Sequence, residues 1–251
     1  MATYTPIERW TTQQTEEMQD TFQHNFDQWE STSRLAESQG KLFFAKEHIQ
    51  WFADPAALSN YLSPGDSHAL SPVNIRLPST YGTLRKFSPN NFTIFPDHYL
   101  DTWRLTFLIR HPALAFPSFY RAMKELEKEE FAQPHEMAPM MELNATLRWS
   151  RLLYDWCCQH QGASGINNDG GGPYPLVLDA EDIIHHPEVL ARYCKLVGLS
   201  PIHLRSQWNV AGQALDNEVA GTSSHKRPET VMMFTLENSS QVLKEKTPSI
   251  V

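Results

Sequence analysis

The sequence predicts an α/β protein, with a mostly parallel sheet flanked by helices. Three short apolar runs carry that expectation: KLFFA at 41–45, LTFLI at 105–109 and PLVLDA at 175–180. None shows the strict alternation of a strand with one wet face, so each reads as a strand buried on both faces. Helical patterns separate the runs, and strands alternating with helices favour parallel pairing with helices on both sides.

The elements follow in order. Over 12–38, Met18, Phe22, Phe26 and Trp29 recur at helical spacing among Gln, Glu and Asp, with Gly40 placed to stop the helix. This stripe is expected to be core. KLFFA then forms the first strand. Residues 53–100 are rich in Pro, Ser and Asn. They predict a short helix over 54–62 inside a long irregular insertion or lid. LTFLI is the second strand, followed by a helix over 118–131. A further helix is expected over 138–160. Its apolar residues lie on two sides, Leu143, Leu147 and Tyr154 on one and Trp149, Leu153 and Trp156 on another, so it is expected between other elements. The glycines of 162–175 do not sit between a strand and a helix, so they are a poor phosphate cradle. PLVLDA is the third strand. The helix over 187–198 has Pro187 at its first position and Gly198 at its stop. The tail over 221–251 is polar. No repeat or linker divides the chain, which reads as a single domain over 1–251.

Composition narrows the function. A net charge of −8 argues against general affinity for nucleic acid or an anionic membrane surface. Three cysteines, two of them adjacent at Cys157 and Cys158, imply no disulfide framework. They fit a reduced, cytoplasmic setting. The opening residues MATYTPIERW are too polar for a signal peptide, and no apolar run has membrane-spanning length.

Arg110 closes the LTFLI strand, and ligands of parallel sheets bind beyond the carboxyl ends of the strands. Ser118 follows Pro117 at the expected start of the next helix, where unpaired N–H groups favour an anion. Arginine supplies a donor fork suited to phosphate. Strand, Arg110, turn, Ser118 and helix thus make a candidate phosphate clamp. The plainer reading is an Arg110 salt bridge and a Ser118 cap. Asp179, Asp182, His185, His186 and Glu188 are metal-ligand types, but they run through a strand exit into a helix cap where acids are favoured anyway, so no metal is assigned. Cys157 and Cys158 read as core on a Trp-rich helix.

The stretch RHPALAFPSFYRA at 110–122 resembles the strand–turn–helix of sulfotransferases that use 3′-phosphoadenosine 5′-phosphosulfate. The resemblance implies that Arg110 and Ser118 hold that cofactor's 3′-phosphate. KLFFAKEHIQWF at 41–52 looks like the family's strand ending in Lys-x-His. It implies His48 as the base that deprotonates an acceptor hydroxyl, with Lys46 supporting the transferring group. PLVLDAEDIIHHPEVLARYCKLVGL at 175–199 is similar to a late strand and helix of the family, with Ala180 in place of a tyrosine. The likeness runs from about residue 41 to 208. It is nearest to sulfotransferase-like proteins of fungal natural-product gene clusters, and so implies a tailoring enzyme acting on a small, apolar, hydroxyl-bearing molecule.

One part of the pattern is not found. No Pro-Lys-x-Gly-Thr-Thr loop follows a strand; YGTLRK at 81–86 has similar residues but no strand before it, and Lys226 and Arg227 lack the glycines of the family's late loop. The expectation is a fold truncated at the N-terminal strand and P-loop. Losing one preorganised donor of a transition-state cradle costs about 2.7–4 kcal/mol. The expected chemistry is therefore His48 acid/base catalysis with no cofactor required, the alternatives being true sulfonyl transfer or a non-catalytic binding protein. A homodimer is one way to complete the sheet.

Overall fold

The computed structural model describes residues 6–64, 73–128, 134–161 and 174–204. The chain forms two compact units, one of residues 1–110 and 138–199, the other of residues 111–137 and 200–251. Among the described residues, no helix is long and apolar enough to cross a membrane.

The first unit opens with α1, Thr12–Ser38. Thr11 and Gln14 form a reciprocal capping box at its start. Its end is a Schellman turn. Gly40 takes φ 62°, Gly40 N–H donates to Glu37 C=O (2.9 Å) and Lys41 N–H to Ala36 C=O (2.8 Å). Only glycine enters that backbone region without a Cβ penalty. Met18 and Phe26 are buried, and Trp29 stacks on Trp103 with centroids 5.7 Å apart.

Two glutamines bind α1 to the extended segment near residue 75. Gln19 donates to Asn74 C=O (3.2 Å) and accepts its N–H (2.6 Å); Gln23 does the same with Arg76 (3.3 and 2.8 Å). Four helical residues rise about 6.0 Å and two extended residues about 6.6 Å, so the two registers match. The described parts of the 53–100 stretch are irregular but packed. They hold α2 (Pro55–Leu62, capped by Asp54) and α3 (Asp97–Leu100), and Ala53, Val73, Ile75, Phe92, Ile94, Phe95, Tyr99 and Leu100 belong to the core.

The sheet has two strands among the described residues. β1, Thr106–Ile109, and β2, Leu176–Asp179, are parallel, with Phe107 opposite Val177. KLFFA is a correction: residues 41–48 form neither helix nor strand. A strand exists through hydrogen bonds to a neighbour, and among the described residues none pairs with this segment. Its side chains are correspondingly open, Leu42 at 56% and Phe44 at 54% exposure, while Phe43 packs edge-on to Trp29.

The helix expected over 138–160 is also corrected. It is two helices, α5 (Pro134–Asn144) and α6 (Arg148–Gln161). Asn144 turns its amide back to Met140 C=O, and Thr146 accepts the Arg148 N–H, a local competition that ends one helix and starts the next. Trp149, Leu153 and Trp156 are fully buried, as expected, whereas Leu147 in the break is exposed. After β2 come α7 (Ala180–His185) and α8 (Pro187–Leu196), the latter followed by Gly198 at φ 79°.

The second unit contains α4, Pro112–Lys128, with Ala122, Met123 and Leu126 buried. It starts six residues earlier than expected. Pro112, not Pro117, occupies the first position, where a missing N–H is harmless. Pro117 lies inside the helix. A short 3-10 turn spans Pro201–His203. The Gly-rich loop over 162–173 and the whole polar tail over 221–251, with Lys226 and Arg227, lie outside the described residues.

Candidate active site

Lys46 and His48 are brought together. In extended chain, residues two apart point the same way, and Lys46 Nζ lies 2.8 Å from His48 Nε2. His48 caps the 3-10 turn Ile49–Phe52, whose Trp51 N–H donates to His48 C=O (2.9 Å). That turn folds the Trp51 ring onto the imidazole, with centroids 5.1 Å apart at 53°. Trp51 is the neighbour that reading by motif missed; its i+3 spacing from His48 ahead of a turn was the available signal.

The electrostatics favour a neutral imidazole. Burial lowers the His48 pKa, and the Lys46 charge lowers it further. Burial lowers Lys46 as well, opposed by Glu47. Burial raises Glu47, opposed by Lys46 and by the His48 N–H. All three residues still reach solvent. An ammonium has donors only, so Nε2 accepts from Lys46 and the ring proton sits on Nδ1. The arrangement sets a base and a cation side by side, the residue types needed to remove a proton from oxygen and hold the resulting oxyanion once their mutual hydrogen bond opens.

Arg110 is placed at the carboxyl end of β1, as expected, and its nearest anion is Glu181, with Nε 3.7 Å from Oε1. Nε is buried and makes no hydrogen bond among the described residues. Glu181 also lies 3.6 Å from His185. Asp179 uses its carboxylate to cap α7, accepting the Glu181 N–H at 2.8 Å.

Ser118 is seven residues into α4, beyond the unpaired N–H groups of a helix start. The first turn of α4 serves itself: Ala113 N–H donates to His111 Nδ1 (3.2 Å), and the Leu114 and Ala115 N–H groups both reach His111 C=O. The expectation of free amides around Ser118 is therefore corrected. Arg110 belongs to the first unit and Ser118 to the second.

Cys157 is buried, with its thiol pushed up to about 12, first by burial and then by Cys158. It fits core packing better than nucleophilic work.

Two curated fungal proteins named sulfotransferase ppzF are similar to this chain. The protein from Metarhizium rileyi (strain RCEF 4871) is 38% identical over 203 residues, covering 80% of this chain and 57% of the relative. The protein from Metarhizium majus (strain ARSEF 297) is 39% identical over 206 residues, covering 81% and 58%. The chain thus spans somewhat over half the length of these relatives. No family model and no solved structure matches it. A shared identity of this size across four-fifths of its residues places the chain in a fungal sulfotransferase-like family.

Proposed function

We propose that this chain is a tailoring enzyme that activates a small, apolar, hydroxyl-bearing molecule, with no sulfonate donor required. His48 takes the hydroxyl proton as general base, and Lys46 holds the oxyanion that forms. The observation that carries this reading is the 2.8 Å contact between Lys46 Nζ and His48 Nε2. The O–H bond breaks, an N–H bond forms on the imidazole, and the electron pair stays on oxygen beside the ammonium. Positioned proton transfer of this kind contributes about 10²–10⁴-fold in rate.

A second reading is sulfonyl transfer to the same hydroxyl from 3′-phosphoadenosine 5′-phosphosulfate. The name of the two Metarhizium relatives, sulfotransferase, favours it. In that reading Arg110 and Ser118 hold the donor's 3′-phosphate, as the sequence resemblance implies. The two readings separate in one experiment: purified protein is incubated with a panel of apolar phenols and alcohols, with and without that donor, and products are followed by mass spectrometry. Conversion without donor supports the first reading. A product heavier by one sulfonate group, formed only with donor, replaces it with the second.

A further inference from the structure

We infer that Lys46 gates His48: in the resting protein its ammonium occupies the lone pair of Nε2, and an oxyanion of the sulfate or phosphate class that draws Lys46 away frees the base. The inference rests on the proposed role of His48 and adds its regulation.

With Lys46 donating to Nε2 at 2.8 Å, the ring proton must sit on Nδ1. Neither nitrogen then offers a free lone pair, and an imidazole in that state accepts no proton from a substrate. Either the ring or the lysine has to move. The ring is held by its place ahead of the 3-10 turn and by Trp51 against it. Lys46 is the looser partner, a four-carbon stem open to solvent. Among the described residues Lys46 makes no ion pair, and the carboxylate within electrostatic reach is that of Glu47, the adjacent residue. An incoming oxyanion competes well for it, because it adds a charge–charge attraction that a neutral imidazole cannot offer.

Moving Lys46 has two consequences of the same sign. Nε2 becomes free, and the positive charge beside the ring is neutralised, so the imidazole holds a proton more readily. The base is therefore more available when an anion sits at Lys46 than when none does, and the donor-free reaction runs through the fraction of molecules in which Lys46 has swung away. Glu47 opposes the gate: its carboxylate attracts the same ammonium.

The test needs no turnover. Histidine ring nitrogen and carbon NMR is recorded on the full 251-residue chain, with the His48 signals assigned by their loss in His48→Ala. The wild type is expected to show His48 in its Nδ1–H form at neutral to alkaline pH. Inorganic sulfate, against chloride at equal ionic strength, should remove the Lys46 hydrogen bond from Nε2, read as a shift of the Nε2 nitrogen resonance, and raise the titration midpoint of the ring. Lys46→Met should show both changes without sulfate, with a midpoint higher by roughly 0.7 pH unit or more, and no response to sulfate. A wild-type His48 already in the Nε2–H form overturns the gate, as does a sulfate response absent from the wild type or equal in Lys46→Met. Absence of any conversion in the substrate panel would remove the proposed function and leave the NMR result standing.

Discussion

Replacing Asp97 by alanine should destabilise the first unit more than any other single polar change considered for it. Asp97 is 5% exposed. Its Oδ1 accepts from the Ser88 N–H (3.1 Å), the Ser88 hydroxyl (3.1 Å), the Asn91 amide (2.9 Å) and the Trp156 indole (3.2 Å). One carboxylate thus ties the 88–97 stretch to α6. In Asp97→Ala, Asn91 keeps Phe95 C=O as a partner and Trp156 keeps the Ser88 hydroxyl at 2.8 Å. The Ser88 N–H has no second acceptor among the described residues. One stranded donor costs about 1–3 kcal/mol, and lost bonds to a charged group add to it. The buried Oδ2, which makes no hydrogen bond, offsets part of the loss. The net is roughly 2–4 kcal/mol, or a Tm lower by about 5–15 °C for a domain of this size. Thermal unfolding followed by circular dichroism at neutral pH measures it. Asp97→Asn, which keeps an acceptor oxygen without the charge, should fall between wild type and alanine. Burial raises the Asp97 pKa, but the donors from Asn91, Ser88 and Trp156 together outweigh it and hold the carboxyl below its ordinary value. A depressed folded pKa means the stabilisation is present above the unfolded value and is lost as pH falls through the folded one. The gap between wild type and Asp97→Asn should therefore narrow in acid. A Tm for Asp97→Ala within about 1 °C of wild type would refute the reasoning.

Other substitutions probe the elements around the site. Gly40→Ala should cost about 1–2 kcal/mol in urea unfolding, because φ is 62° and no atom lies within 4 Å of the added Cβ, so the cost is backbone alone. Gln23→Ala should cost roughly 1–2 kcal/mol by the same measurement, since both Arg76 backbone groups lose their partner. Of the three thiols, Cys158 is exposed while Cys157 and Cys194 are buried. A thiol reagent on the native protein at neutral pH should modify Cys158 quickly and the other two only on unfolding.

Local signals made part of this structure legible. α1 and its stop at Gly40, and α8 between Pro187 and Gly198, follow from periodicity and from residues that end or begin helices by their own backbone preferences. The β1 and β2 runs were legible from composition. KLFFA was not, because pairing is a non-local property and an apolar run without a neighbour stays unpaired. The start of α4 was ambiguous, since Pro112 and Pro117 both suit a first helical position and only the fold chooses. The break at residues 145–147 depends on side chains of Asn144 and Thr146 that hydrogen-bond equally well outside a helix. In the candidate site, Lys46 and His48 were picked out by the family resemblance, and their two-residue spacing agrees with the contact between them. The approach of Glu181 to Arg110 joins residues seventy-one positions apart, and nothing local announces it.

The most direct test of the central claim is conversion of a hydroxyl-bearing substrate by wild type and His48→Ala, with the sulfonate donor omitted and folding of both proteins checked by circular dichroism. The account predicts measurable product with wild type and a rate lower by about 10²-fold or more in the folded variant. Equal rates for the two proteins would contradict it, since His48 would then carry no part of the chemistry.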